Sequence, residues 1–230
     1  MTYFKAENLH KKFSNIQIDF SMESEKESMT CILGPSGSGK STVLKMIAGL
    51  ENSDKNPNKK TSVFLDGRDI TNLPPQKRNI GMVFQQPSLF LNMNVLENIS
   101  YGLRNMGWTK KAAFEEAEKM LEIIKMEDFG KRSCESLSGG EAQRVCLARS
   151  LIVKPKLILF DEPLSALDAP LRKRLGEDIL MMQEQFHFTS IMVTHDIEEA
   201  VRLSDRIILM KKGTIISQCS SRDFDSSMME

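Results

Sequence analysis

The chain has 230 residues, 40% hydrophobic and 27% charged, enough for one large α/β domain or a domain with an inserted lobe, and too few for two ordinary domains with a linker. Its 31 Lys and Arg balance 31 Asp and Glu, and basic pairs such as Lys59-Lys60 and Lys110-Lys111 never grow into a cluster, so no nucleic-acid partner is expected. No apolar run approaches the roughly 18 to 20 residues that span a bilayer, residues 1–10 hold no stretch of signal-peptide length, and the expected location is therefore the cytosol.

Residues 29–33 form a short apolar run. A Gly-rich turn follows, and then Val43, Leu44, Ile47 and Leu50 recur at helical spacing, which predicts strand, phosphate loop and helix. Cys31 falls in that strand and is expected in the core. With Cys134, Cys146 and Cys219 it forms no Cys-x-x-Cys pair, so all four are read as reduced thiols rather than metal ligands.

The turn reads Gly34-Pro35-Ser36-Gly37-Ser38-Gly39-Lys40-Ser41, the G-x-x-x-x-G-K-[ST] pattern in its required context. Glycines let successive N–H groups face an anion, and the helix start adds its positive end. Lys40 is placed to reach the β- and γ-phosphates, and Ser41 to ligate Mg²⁺. By itself the motif says only nucleoside triphosphate, since kinases, GTPases and motor ATPases share it.

Residues 52–61 are polar and rich in Lys and Asn, and read as a surface loop. Residues 80–84 read as a strand that ends at Gln85. No convincing strand lies between Gln85 and Lys154, whereas residues 110–125 carry an apolar stripe at Ala113, Ala117, Met120, Leu121 and Ile124, so a helical lobe is expected at about 88–153. Within it, Leu137-Ser138-Gly139-Gly140-Glu141 opens a helix that runs on through Leu151, and this second helix start offers a second set of amides and a hydroxyl to an anion.

Residues 157–160 form a buried strand followed by Asp161 and Glu162, at the edge where an open α/β sheet places its ligands. An Asp there can hold Mg²⁺, and the adjacent Glu can polarise an attacking water as general base. A solvated carboxylate pair is the bland alternative, and the phosphate loop in the same chain argues against it. Residues 190–194 and 207–210 are further strands, Lys212-Gly213 reads as a hairpin turn, and residues 218–230 read as a flexible tail. Apolar strands without alternation, separated by helices, predict an α/β fold with a mainly parallel sheet.

With these motifs in this order, the chain resembles the nucleotide-binding domain of ABC transporters over roughly residues 13–213. The run from Leu137 to Gly140 looks like the family signature, Ser165-Ala166-Leu167-Asp168 like its D-loop, Gln85 like the Q-loop glutamine and His195, within Thr194-His195-Asp196, like the switch histidine. The resemblance implies a P-loop NTPase with a small antiparallel β part beside the parallel core, one ATPase domain over residues 1–217, and ATP and Mg²⁺ as ligands.

It further implies that residues Gly34, Pro35, Ser36, Gly37, Ser38, Gly39, Lys40, Ser41 and Thr42 hold the phosphates, and that Ser41, Gln85 and Asp161 hold the metal. Glu162, His195 and Gln85 are the implied catalytic set. Phe13 is the residue expected to stack on adenine, with Tyr3 and Phe4 as competing candidates and a core role for Phe13 as the alternative. Two such domains would sandwich ATP head to tail as a homodimer or paired subunits, with Ser138, Gly139, Gly140 and Asp168 completing the site.

Residues 73–75, 78–85 and 95–99 are similar to the importer ATPases that serve sugars, polyamines, sulfate, molybdate, ferric iron or thiamine. That similarity implies a membrane permease docked on residues 85–97, an indirect link to a solute-binding protein, and a peripheral position on the cytoplasmic side of the cell membrane. Glu141 departs from the commonest signature, which has Gln. The chain also stops soon after Gly213 without the regulatory domain of many sugar and sulfate importers, which leans toward vitamins, metal ions or oxyanions. An exporter subunit is the nearest alternative, a soluble ABC ATPase acting on DNA or ribosomes a more distant one.

Overall fold

The structure, a computed structural model, describes residues 2–229, and its contacts divide the chain into two units. Met1–Met82, Lys156–Glu162 and Met182–Glu230 make the first; Val83–Pro155 and Pro163–Met181 make the second. The helical lobe expected at about 88–153 is thus wider and is built from two stretches of chain.

The strands in chain order are β1 (Thr2–Lys12), β2 (Gln17–Glu25), β3 (Met29–Leu33), β4 (Ser62–Leu65), β5 (Arg68–Asp69), β6 (Ile80–Val83), β7 (Leu157–Asp161), β8 (Thr189–Thr194), β9 (Arg206–Lys211) and β10 (Thr214–Ser220). They form one sheet in the order β5-β4-β1-β2-β10-β9-β3-β8-β7-β6. Every residue of β3, β7 and β8 is buried, which is why these strands read as unbroken apolar runs. Their parallel register sets Cys31 beside Met192 and Ile207, and Asp161 beside Val193. The α/β expectation with a mainly parallel core holds.

The antiparallel part is larger than expected, because β1 and β2 pair along most of their length. In β2 only alternate residues, Ile18, Phe20, Met22 and Ser24, face inward, the pattern of a strand with one wet face. Beyond Glu7, β1 no longer pairs with β4, and residues 53–61 cover that open edge instead. Ser53 Oγ accepts the His10 N–H at 2.9 Å and donates to the His10 carbonyl at 3.0 Å. Asp54 accepts the Lys12 N–H, and the Thr61 hydroxyl donates to the Asn8 carbonyl, both at 2.9 Å. The polar loop therefore caps a sheet edge, which would otherwise be free to pair elsewhere.

Helix α1 (Lys40–Ala48) buries Val43, Leu44 and Ile47 in the main core. It stops two residues earlier than its apolar spacing predicts, at a left-handed cap on Gly49, and Leu50 is left exposed. The buried Arg78 guanidinium seals this end, donating to Met46 O, Ile47 O, Leu73 O and Thr71 O at 2.8 to 3.2 Å. A cation there complements the negative end of the helix.

The second unit holds α2 (Val95–Asn105), α3 (Lys110–Ile123), α4 (Gly139–Leu151) and the first part of α5 (Ala169–Phe186). Its cores are sequence-legible: the α3 stripe Ala113, Ala117, Met120 and Leu121 is buried as spaced, and α2 opens with an Asn94–Glu97 capping box. From Met182, within α5, the chain is back in the first unit, which also holds helix α6 (Ile197–Leu203). The tail expected to be flexible from residue 218 is instead part of β10 as far as Ser220, which pairs with Arg206. The Ser220 side chain then caps a short 3-10 turn at Ser221–Asp223. The end of this strand, Ser217-Gln218-Cys219-Ser220, has no apolar alternation that would have marked it. Among the described residues, no helix is long and apolar enough to cross a membrane.

Candidate functional site

In the first unit, the end of β3 passes into the phosphate loop, which is tied at both ends: the Gly34 N–H donates to Thr194 O at 3.4 Å and the Gly213 N–H to Ser38 O at 3.0 Å. The β9–β10 turn that Lys212-Gly213 predicted is therefore also a brace for the loop. Gly39, the N-cap of α1, has φ 99° and offers no side-chain cap, so the first N–H groups of α1 stay available to an anion.

Lys40 is 4% exposed. Its ammonium donates to Gly34 O at 2.8 Å and Pro35 O at 3.0 Å and lies 3.8 Å from Glu162 Oε1. Burial lowers its pKa, while the Glu162 and Asp161 carboxylates act to raise it. The Ser41 hydroxyl donates to Asp161 Oδ1 at 2.6 Å, so two hard oxygen groups from α1 and β7 meet at one point. The Ser38 hydroxyl is buried with no partner, an orphaned polar atom inside the cradle. Thr42, in the first turn of α1, lines the cavity beside the loop.

Glu162 follows β7 with φ 47°, a left-handed backbone that a long side chain seldom adopts. Its N–H donates to Val193 O at 3.1 Å. Its Oε2 lies 3.0 Å from His195 Nδ1, so the ends of neighbouring strands β7 and β8 bring these two side chains together. A cavity of about 300 Å³ is walled by the loop, Glu162, Ile16, Ile18 and Phe13. Phe13 is 43% exposed there, whereas Phe4 is fully buried and Tyr3 packs on the core. A larger cavity of about 840 Å³ lies under residues 51–61 and contains none of these groups.

One group near the site escaped the sequence reading. Glu199, 3% exposed, accepts the Thr194 hydroxyl at 2.7 Å. Thr194 Oγ1 accepts the Asp196 N–H at 3.1 Å, and Asp196 accepts the Glu199 N–H at 3.1 Å. This closed ring fixes the turn that carries His195. The spacing Asp196-x-x-Glu199 is a helix-start signal that could have found it.

The second unit holds the remaining candidates. Gln85 is exposed just beyond β6, and the buried Gln143 of α4 donates to Phe84 O at 3.1 Å. Ser138 is the N-cap of α4, with Gly139 exposed and Gly140 buried behind it. Asp168 accepts the Leu171 N–H at 2.9 Å at the start of α5. Arg144 of α4 meets Asp178 of α5 at 2.6 Å, joining the helices that follow the two motifs.

These residues suit a nucleotide and a divalent cation: α1 has uncapped amides, the cradle holds an orphan hydroxyl, and Ser41 and Asp161 are hard donors. Among the described residues no group of three or more His, Cys, Asp or Glu could hold a metal.

Residues 18–165 match the family described as ABC transporter. The chain is 43% identical over 219 residues to the Fe(3+) ions import ATP-binding protein FbpC of Brucella abortus (strain 2308), covering 94% of this chain and 61% of that one. It is 45% identical over 213 residues to the FbpC protein of Vibrio cholerae serotype O1, covering 91% and 59%. The chain thus spans about three fifths of the length of these curated relatives. Among solved structures, cbiO1 from Clostridium perfringens, part of the ABC transporter complex cbiONQ, is similar with a TM-score of 0.84 and 26% identity over 96% of this chain and 90% of that one. With a family match over well over half its residues and the phosphate loop, carboxylate pair and signature helix all in place, the chain belongs to the ABC transporter family.

Proposed function

We propose that this chain binds ATP with Mg²⁺, hydrolyses it, and couples the hydrolysis to solute import through a separate membrane permease. The observation that supports this best is the convergence of Lys40, Ser41, Asp161, Glu162 and His195 from one loop and two strand ends.

When bound, Mg²⁺ would neutralise phosphate charge from a position held by Ser41 and Asp161, with Gln85 added by the family resemblance. Lys40 now spends its donors on two loop carbonyls, so turning to a phosphate exchanges neutral acceptors for charged ones, the stronger kind of hydrogen bond. Glu162 takes the proton of the attacking water. His195, donating from Nδ1 to the ionised Glu162, holds that carboxylate in one orientation. Glu162, on its left-handed backbone, meets His195 and Lys40, whereas Asp161 meets Ser41, so adjacent carboxylates serve different tasks. Phe13, on the cavity wall, is positioned to stack on adenine.

Pairing of two copies, with Ser138, Gly139, Gly140 and Asp168 of each completing the other's site, belongs to the same proposal. So do a permease docked near residues 85–97, a solute-binding protein beyond it, and residence on the cytoplasmic face. The relatives' names make ferric iron the cargo to test first. Affinity purification of the tagged chain from native membranes should bring down a permease and a solute-binding protein. Recovery of only DNA-bound or ribosomal proteins would overturn the transport half of the proposal and leave the ATPase half to its own test.

A further inference from the structure

At the start of α4 both donors of Ser138 are already taken. Glu141 Oε2 accepts the Ser138 N–H at 2.7 Å and the Ser138 hydroxyl at 2.7 Å, and Ser138 Oγ accepts the Glu141 N–H at 3.4 Å. A single carboxylate oxygen thus receives two convergent donors, as a bound anion would. Its charge also neutralises the positive end of the helix, which is the feature that makes such an end attract anions. The Ser138 bonds hold the Glu141 carboxyl below the ordinary carboxylate range, so it remains ionised at neutral pH. The Arg132 and Arg144 charges act on this carboxylate in the same direction, although Arg144 is itself paired with Asp178 at 2.6 Å.

We propose that Glu141 is a built-in competitor for the phosphate of ATP at Ser138 and thereby sets the ATP concentration at which two copies of the chain close. This rests on the reading of Ser138 as a phosphate donor across a paired site. A phosphate reaching Ser138 must displace the carboxylate from the hydroxyl and sit near its charge. A Gln at 141 can still accept from Ser138 through its amide oxygen, which keeps the helix cap, but it carries no charge, so a phosphate displaces it without like-charge repulsion.

The test uses full-length chain carrying Glu162→Gln, in which turnover is stalled, and follows the fraction of dimer by sedimentation as ATP is raised. Adding Glu141→Gln should lower the half-saturating ATP concentration at least about fivefold, as expected for relieving one like charge near a phosphate at surface dielectric. The shift should shrink in about 0.5 M salt, where such a repulsion is screened. Glu141→Asp, which keeps the charge, should show a much smaller shift. An unchanged or raised midpoint for Glu141→Gln overturns the competitor role while leaving the paired site intact. A Glu162→Gln chain that binds ATP yet never dimerises overturns the paired site, and the competitor role with it.

Discussion

Four thiols report on burial independently of nucleotide chemistry. Cys31 is fully buried, and desolvation drives its thiol far above the ordinary range. Burial also raises Cys134 and Cys146. Cys219, partly exposed on β10, is raised by burial and by the Asp223 charge. Because the thiolate is the reactive form, alkylation of the native chain should be slow at pH 7, faster as pH rises toward 9, and confined at first to Cys219. Mass spectrometry of adducts checks this, and early labelling of Cys31 would contradict the assigned core. At Lys40, Lys40→Ala should weaken ATP binding about 10- to 100-fold, the range for losing charged hydrogen bonds, as calorimetry would read.

Turns and helix starts are where elements impose geometry on the site. Gly213 has φ 87°, and a Cβ there would lie 1.9 Å from the Gln17 carbonyl oxygen. Gly213→Ala should cost at least about 2 kcal/mol, combining backbone strain with the clash, read as a lower urea midpoint, and it should also loosen the brace on Ser38. In the β8–α6 turn, Glu199→Ala leaves the buried Thr194 hydroxyl without its acceptor, a cost of about 1–3 kcal/mol. It should lower kcat more than it raises KM, because the turn holds His195 rather than ATP. A KM effect alone would argue against that positioning role. The central strands were legible because burial on both faces leaves apolar runs, and the phosphate loop because its chemistry is a fixed local spacing. β1 was not legible, since its inward Phe4, Ala6 and Leu9 alternate imperfectly among polar residues across a bulge. The His195–Glu162 contact depends on which strands are neighbours and in what register, which no local pattern encodes.

At the scale of the whole molecule, balanced charge left little to read, and the informative feature is how the motifs are distributed. The first unit carries the phosphate loop, Asp161, Glu162 and His195, and the second carries Gln85, the signature helix and Asp168. The most direct test is ATP turnover and ATP binding by Glu162→Gln beside the unaltered chain. Loss of the general base should reduce Mg²⁺-dependent phosphate release at least about 100-fold while ATP still binds. Phosphate release at the unaltered rate would contradict the assignment of Glu162 and, with it, the proposed chemistry of the site.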